Sequence, residues 1–333
     1  MEENNNVVNE EKKEEIVDEN AHTYHTVDAK PVKLKDNYNF FFRSKFKYFM
    51  SRFIMIFVGI LCYPFIWLFT GLRVKGKKNY KLVKKKGCIL ISNHINPGDA
   101  FFTGWTLMRR RVYITSLQSN LGLPFGFGKM IRIMGAVPIP EEKKQIPRFR
   151  KQFLEEIERK RKILIYPEAA LIPFCDHIRP FKKGAFRLAL VDDTPILPIV
   201  YTYRKPKGLY RIWRRKPCLT LNFLEPYYPT NEGSHAERIE KAMNDLHEVM
   251  TNFFNEHTTY FYHKKEKKKK NKEINNEEKR MSNHPLFFCL VMRFIIISLY
   301  KHGIHTMRLN IQGYIHRLFH EHHKYKCQFL YYN

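Results

Sequence analysis

His94 and Asp99, separated by four residues, carry side chains that can move a proton. The apolar run before His94, residues 88–91, predicts a short buried strand, and residues 96–98 (Asn-Pro-Gly) predict a turn that reverses the chain. Asp99 then opens an apolar helical pattern, so the turn would return its carboxylate to the imidazole. A carboxylate on one ring nitrogen fixes the tautomer and leaves the other nitrogen free to take a proton. The pair therefore predicts general-base chemistry on a hydroxyl group that the substrate would supply.

The same two residues also have a purely structural interpretation. An aspartate before a helical pattern is a common helix N-cap, and His94 could be only a hydrogen-bonded loop histidine. At this spacing alone the structural interpretation is the commoner one. The rest of the chain therefore has to decide between the two.

Composition limits the partners that the chain can have. Its 333 residues, 44% of them apolar, can bury one large domain with extensions or two domains, and its formal net charge of +27 predicts anionic partners. We predict no nucleic-acid partner, because the sequence has no paired Cys/His finger, RNA-binding aromatic strand or heptad-linked basic region. The six cysteines form no Cys-x-x-Cys pair. We therefore predict no metal site and no disulfide framework, as suits a reducing compartment.

The first seventy residues divide into a polar part and an apolar part. Residues 1–39 are rich in acids and asparagine, which predicts a disordered tail without a cleavable signal peptide. Residues 40–72 predict a membrane-associated helical segment: residues 40–52 mix aromatics with cations, as in interfacial helices, and residues 53–71 carry no charge over about 28 Å. Basic flanks on both sides and Pro64 leave three possibilities open: a helix that spans the bilayer, one that dips into one leaflet, or a buried core helix.

Residues 73–260 alternate apolar runs with helical patterns. This alternation predicts an α/β domain, with a mostly parallel central sheet flanked by helices. The predicted strands cover residues 88–92, 112–115, 136–139, 163–166, 196–203 and 218–223, and the clearest helices cover 147–160 and 232–257. Because sites in such sheets form at the carboxyl ends of strands, His94 and Glu168 are expected at the same edge. Residues 261–280 predict a charged linker, and residues 281–333 a C-terminal segment of unknown role.

Four short motifs follow one another in this domain. They contain Asn93, His94 and Asp99; then Gly135, Val137 and Ile139; then Pro167 and Glu168 with Phe181, Lys182, Gly184 and Ala185; and finally Pro195, Ile196 and Pro198. Their order and content resemble the glycerolipid acyltransferase family typified by the 1-acyl-glycerol-3-phosphate (lysophosphatidate) acyltransferases. That family carries Asn-His-x4-Asp, Gly-x-(Ile/Val)-x-Ile, Phe-Pro-Glu-Gly-Thr-Arg with Phe-Lys-x-Gly-Ala, and Val-Pro-Ile-x-Pro.

The resemblance implies a membrane-bound acyltransferase of phospholipid biosynthesis, in the endoplasmic reticulum. It would move a fatty acyl group from acyl-CoA or acyl-carrier protein to the free hydroxyl of lysophosphatidate, with His94 as the base and Asp99 orienting it. The acyl donor is a co-substrate, and no cofactor is implied. Amides of the turn at residues 96–98 and of the helix that follows are candidate oxyanion donors. The alternatives are transfer to another lysophospholipid or to glycerol-3-phosphate, a transacylation, or a catalytically silent lipid-binding relative.

The third motif departs from the family pattern. Ala169 and Ala170 stand where the family has Gly-Thr, and no arginine follows at the usual place. In the family such basic groups are associated with the substrate phosphate. We therefore expect other cations to bind the substrate, with a solvated basic face as the alternative, and the candidates are Arg179, Lys182, Lys183, Lys129 and Arg132. Glu168, directly after an apolar strand and a proline, is also predicted to serve the substrate site.

Overall fold

The computed structural model describes residues 29–107, 112–124, 126–190 and 194–262. The strands within these ranges are β1 Arg73–Lys75, β2 Cys88–Ser92, β3 Val112–Leu117, β4 Ala136–Ile139, β5 Lys162–Ile165, β6 Ile196–Arg204 and β7 Cys218–Phe223. The helices are α1 Lys45–Thr70, α2 Lys77–Val83, α3 Asp99–Thr106, α4 Phe127–Met134, α5 Ile146–Glu158, α6 Lys183–Ala189, α7 Tyr210–Trp213 and α8 His235–His257. Most of the predicted tail, most of the predicted charged linker and the whole C-terminal segment lie outside the described residues.

All seven strands belong to one sheet, in the order β1-β7-β6-β2-β5-β3-β4. Every neighbouring pair is parallel except β6 and β7. The predicted α/β class with a mostly parallel sheet is therefore confirmed. The strand β2 lies at the centre and all five of its residues are buried, which explains why it reads as a continuous apolar run. We call the edge at which β2, β5 and β6 end the carboxyl rim.

The elements that the sequence did not predict are short or polar. The strand β1 has three residues, two of them exposed cations, and it pairs only with β7 at the edge of the sheet.

The predicted helix over residues 232–257 begins at His235, because Ser234 caps it through a reciprocal pair of hydrogen bonds with Glu237.

The residues before α1 pack on the domain, which corrects the end of the predicted disordered tail. Residues 29–44 contain no helix or strand, yet Phe40 and Phe41 are fully buried, with the Phe40 ring 5.1 Å from that of Phe149. Glutamine side chains of the domain bind the backbone of this segment, at Gln118, Gln145 and Gln152. The interfacial helix predicted over residues 40–52 accordingly begins only at Lys45, since the first phenylalanines belong to the core.

The helix α1 has two different faces. Its buried face consists of Ser51, Met55, Val58, Gly59 and Cys62. A Cβ added at Gly59 would lie 2.5 Å from the Trp105 ring of α3, so the two helices are in close contact. The opposite face exposes large apolar side chains, among them Phe46, Phe49, Phe53, Ile60 and Trp67. Within the described residues, α1 is the one helix with the length and composition to cross a membrane.

Candidate active site

Asn93 fixes the chain where it leaves the end of β2. Its buried side chain donates to the carbonyl of Tyr201 (3.1 Å) and accepts from the amide of Tyr201 (2.8 Å). This pairing satisfies the β6 backbone beyond the last residue of β2, where a backbone partner would otherwise be needed. His94 therefore emerges at the carboxyl rim from a rigid support.

The imidazole of His94 lies against the carboxylate of Asp99. Nδ1 of His94 is 2.9 Å from Oδ2 of Asp99, whose side chain is fully buried, whereas the His94 side chain is 22% exposed. An ionised carboxylate can only accept, so Nδ1 carries the proton and Nε2 presents a lone pair. Nε2 has no protein partner among the described residues. The arrangement can therefore take a proton from a bound hydroxyl group.

Three more donors surround the Asp99 carboxylate. The amides of Ile95 (3.0 Å) and Asn96 (3.1 Å) donate to Oδ2, and the hydroxyl of Tyr166 (2.8 Å) donates to Oδ1. Burial and the neighbouring Asp99 raise the pKa of Tyr166 well above its ordinary value, so the phenol stays a donor. Donors on both oxygens fix the direction of the carboxylate.

The turn after His94 uses its own amides, which corrects the oxyanion donors predicted there. Besides the two amides that bind Asp99, the amide of Gly98 donates to the Asn96 side chain (2.9 Å). The amide of Asp99 donates to the carbonyl of Asn96 (3.0 Å). These groups therefore stabilise the turn and are not available to a substrate oxyanion.

Tyr166 is a site residue that sequence reasoning missed. Its ring stacks on that of His94, with centroids 4.0 Å apart and planes 20° apart, while its hydroxyl binds Asp99. The family pattern has phenylalanine at this position, so the hydroxyl is a difference that the printed sequence already shows. Tyr166 therefore contacts both members of the pair.

Replacing Tyr166 by phenylalanine is expected to lower kcat by up to about ten-fold without unfolding the protein. The variant keeps the stacked ring but loses one donor to a charged group, an interaction of about 1.5–3 kcal/mol, so Asp99 orients His94 less firmly. Initial rates of the reaction that the pair catalyses measure the effect. Tyr203→Phe is the matched control, because that buried phenol donates to the carbonyl of Cys175 instead. Unchanged kcat in the Tyr166 variant would contradict the role assigned to the hydroxyl.

Glu168 and Arg179 form a buried ion pair behind His94. Nη2 and Nε of Arg179 lie 2.8 Å and 3.2 Å from Oε2 of Glu168, and both side chains are 1% exposed. Burial raises the pKa of Glu168, and the guanidinium opposes that rise. Oε2 of Glu168 also accepts from the amide of His94 (3.3 Å). The pair thus positions the His94 backbone, and the substrate contact predicted for these two residues would require it to open.

The other predicted substrate-binding cations lie in different surroundings. Lys182 precedes α6 and donates its amide to the carbonyl of Pro167 (2.8 Å), whereas Lys183 is exposed and pairs with Glu240 of α8 (3.4 Å). Lys129 is an exposed residue of α4. Arg132 donates to the carbonyls at Ala136 (3.0 Å) and Asn39 (2.9 Å), and its guanidinium stacks over Phe42. The structure therefore gives Arg132 a role in holding the residues before α1, and substrate binding by the lysines stays a prediction.

Ala169 adopts a conformation that favours glycine. It has φ of 61°, at the position where the family pattern carries Gly. The left-handed conformation costs an L-residue about 1–2 kcal/mol, partly offset by the greater freedom of glycine in the unfolded chain.

We expect Ala169→Gly to raise the free energy of unfolding by about 0.5–1 kcal/mol, because the strain disappears while the turn stays intact. Chemical denaturation followed by circular dichroism measures it. Ala185→Gly is the control, since Ala185 lies inside α6, where glycine is destabilising. A loss of stability in the Ala169 variant would contradict the argument.

One cluster in the described part of the chain has side chains that could ligate a metal. Ligand atoms of the consecutive residues Cys175, Asp176 and His177 lie within 4.8 Å of one another. All three come from one loop, and Nδ1 of His177 is already 2.8 Å from Asp176. The cluster does not include His94 or Asp99.

Part of this chain is similar to known proteins. Residues 71–202 match the family model described as Acyltransferase. The chain is 29% identical over 197 residues to the 1-acyl-sn-glycerol-3-phosphate acyltransferase of Saccharomyces cerevisiae, covering 55% of this chain and 62% of that protein. It is 29% identical over 193 residues to the human 1-acyl-sn-glycerol-3-phosphate acyltransferase beta, covering 56% and 66%. The chain thus spans a little under two thirds of the length of these curated relatives.

A solved structure is also similar to this chain. It is the crystal structure of the 1-acyl-sn-glycerophosphate (LPA) acyltransferase PlsC from Thermotoga maritima, with a TM-score of 0.46 and 19% identity. The match covers 66% of this chain and 86% of that one.

The His94–Asp99 pair and the strands β1 to β5 lie within residues 71–202, the part of the chain that matches the Acyltransferase family model. The four motifs and the relatives named 1-acyl-sn-glycerol-3-phosphate acyltransferases thus indicate the same family.

Proposed function

We propose that this protein is a membrane-bound acyltransferase that moves a fatty acyl group from acyl-CoA, or acyl-carrier protein, to the free hydroxyl of lysophosphatidate, giving phosphatidate. The observation that carries the proposal is the geometry of His94, whose Nδ1 is bound to Asp99 and whose Nε2 is unpartnered among the described residues. The relatives named for this reaction support the choice of acceptor.

The geometry accounts for the proton transfers that this reaction needs. An alcohol has a pKa far above neutrality, so it attacks the thioester carbonyl well only while a base removes its proton. Nε2 of His94 takes that proton, and Asp99 stabilises the imidazolium that forms. When the tetrahedral intermediate collapses, the C–S bond breaks and Nε2 returns the proton to the thiolate. The acyl group passes directly to the acceptor, and no acyl-enzyme forms.

The packing of α1 supports membrane attachment on one leaflet. One face of the helix is buried against the domain and the other is apolar and exposed, as expected for a helix lying in the surface of a bilayer. The helix ends at the carboxyl rim, where Arg204 at the end of β6 donates to the carbonyl of Gly71 (2.6 Å). This placement would bring His94 to the surface into which long-chain acyl-CoA and lysophosphatidate partition. The endoplasmic reticulum location implied by the resemblance stays a prediction.

The test is an acceptor panel with the full-length purified protein in phosphatidylcholine vesicles. Labelled oleoyl-CoA is offered with lysophosphatidate, lysophosphatidylcholine or glycerol-3-phosphate, and products are identified by mass, with His94→Ala as the blank. We expect phosphatidate as the dominant product and no transfer above the blank without an acceptor. If another acceptor gave the dominant product, it would replace lysophosphatidate in the proposal. If the protein bound lysolipid without transferring an acyl group, the proposal that it is a catalyst would be wrong.

A further inference from the structure

A cavity at the carboxyl rim lies apart from the His94–Asp99 pair and carries four cations. It has a volume of about 220 Å³ and forms where α1 ends, β6 ends and β7 begins. Among the side chains that line it are Trp67, Arg73, Arg204, Lys205, Lys207 and Tyr210. The three elements that meet here place cations around a space large enough for a phosphate group.

Within the described residues, the positive charge of this cavity has no acidic partner. Arg204 donates to three neutral oxygens, those of Thr220 Oγ1 (2.7 Å), the Gly71 carbonyl (2.6 Å) and the Leu219 carbonyl (3.2 Å). Burial and the neighbouring Arg73 lower the pKa of Arg204, as expected for a cation without a counter-charge. No carboxylate pairs with any of the four cations in the part of the chain that the structure describes. The cavity is therefore suited to an anionic ligand.

The connection between β6 and β7 indicates which kind of anionic ligand fits the cavity. Residues 205–217, which we call the basic loop, contain no acid and carry Leu209 and Ile212, 69% and 80% exposed. Tyr210 donates to the carbonyl of Trp67 (2.8 Å), and their rings lie 6.0 Å apart edge to face. The exposed leucine and isoleucine are thereby tied to the end of α1, whose Trp67 is itself 54% exposed. Aromatic and apolar side chains interleaved with cations are typical of the boundary between headgroups and hydrocarbon.

We infer that the basic loop and the end of α1 form a second membrane contact, and that the cavity binds the phosphate of an anionic phospholipid headgroup. The inference rests on the membrane attachment in the proposed function. A soluble phosphate ligand would account for the cations but not for the exposed apolar residues beside them. A lipid accounts for both, because its phosphate enters the cavity while Leu209 and Ile212 enter the acyl region. The contact would hold the carboxyl rim on negatively charged patches of membrane.

The test compares the partitioning of the full-length protein between vesicles of pure phosphatidylcholine and vesicles containing anionic phosphatidylglycerol. The wild type is expected to prefer the anionic vesicles. Lys205→Gln/Lys207→Gln is expected to reduce that preference by roughly 25-fold, about five-fold for each cation, while α1 keeps the variant on neutral vesicles. Leu209→Ser/Ile212→Ser is expected to weaken binding to both vesicles and to leave their ratio unchanged.

A matched charge control removes two exposed cations of α5, in Arg150→Gln/Lys151→Gln, and should keep most of the preference. An equal loss in this control, or an unchanged preference in the Lys205/Lys207 variant, would overturn the inference. So would a variant whose only defect is weaker binding of CoA or 3′,5′-ADP, because the cavity would then serve the donor.

The partitioning experiment also separates this inference from the proposed function. Binding does not depend on turnover, so His94→Ala should keep the anionic preference. If the wild type bound neither kind of vesicle, the membrane attachment would fall and the inference with it. If the Lys205/Lys207 variant loses the preference for anionic vesicles but the wild type transfers no acyl group, the lipid site is supported and the proposed reaction is wrong.

Discussion

Replacing His94 by alanine is expected to lower kcat for acyl transfer by a factor of at least one hundred, with little change in stability. General-base action is typically worth 10²–10⁴-fold, and the variant loses the Nε2 atom that would take the proton. The fold should survive, because Asp99 keeps three other donors and is not left as an unpaired buried charge. Initial rates with oleoyl-CoA and lysophosphatidate, together with thermal unfolding, measure both effects.

The control for this prediction is His177→Ala. That histidine lies in the loop before Arg179, its side chain is half exposed, and its near neighbour is Asp176. It resembles His94 in having a carboxylate beside Nδ1, but its carboxylate is exposed and lies outside the site. We expect activity close to that of the wild type. More than a tenth of wild-type kcat in the His94 variant would contradict the base role.

Replacing Arg179 by methionine is expected to lower the free energy of unfolding by about 3–5 kcal/mol. Removing one partner of a buried pair leaves an uncompensated charge, which costs more than the pair itself contributes. Within the described residues, Glu168 would keep the amides of His94 and Arg179 as donors to its carboxylate. Denaturant unfolding followed by circular dichroism gives the value, and a loss below about 1 kcal/mol would show that the pair is not enclosed as described.

The double variant Glu168→Gln/Arg179→Met distinguishes stability lost through poorer packing from stability lost through an unpaired buried charge. Glutamine keeps an acceptor for the His94 amide but carries no charge, so we expect recovery of more than half of the lost stability.

The pH dependence of the stability of the single variant Arg179→Met has a defined sign. Burial already raises the pKa of Glu168, and without the guanidinium it rises further, so the folded single variant binds a proton that the unfolded chain does not. The loss in free energy of unfolding relative to the wild type should therefore shrink toward acidic pH. A loss that does not change with pH would contradict the assignment of a buried Glu168–Arg179 ion pair.

The parts of the fold that could be predicted are those that one chain segment determines by itself. The strands β2, β5 and β6 are buried along their length, so each reads as an apolar run whatever its neighbours are. The strand β1 could not be found this way, because its two exposed cations reflect a place at the edge of the sheet. The segment over residues 29–44 has no periodic pattern, and the glutamines that hold it lie more than 80 residues away in sequence.

The same distinction applies to the site. The proximity of His94 and Asp99 follows from one local turn, and Nδ1 and Oδ2 are 2.9 Å apart. The contacts of Tyr166 and Asn93 depend on β2 lying between β5 and β6, an order that the sequence alone does not determine. Whether another cation takes the place of the arginine that the family has after the third motif also depends on tertiary structure. Arg179 follows that motif closely, but its guanidinium turns inward to Glu168.

The way in which α1 is joined to the domain decides how a more soluble variant of this protein should be built. A truncation that begins after Gly71 would discard Phe40 and Phe41 together with Met55 and Val58, all of which fill the interior. The remaining protein would expose the hydrophobic surfaces that these side chains cover, and we expect it to aggregate. Surface redesign avoids this: exchanging the outward-facing Phe46, Phe49, Phe53 and Ile60 for polar residues leaves the interior intact. The buried face of α1 is thus part of the interior, and solubility has to be engineered on its exposed face.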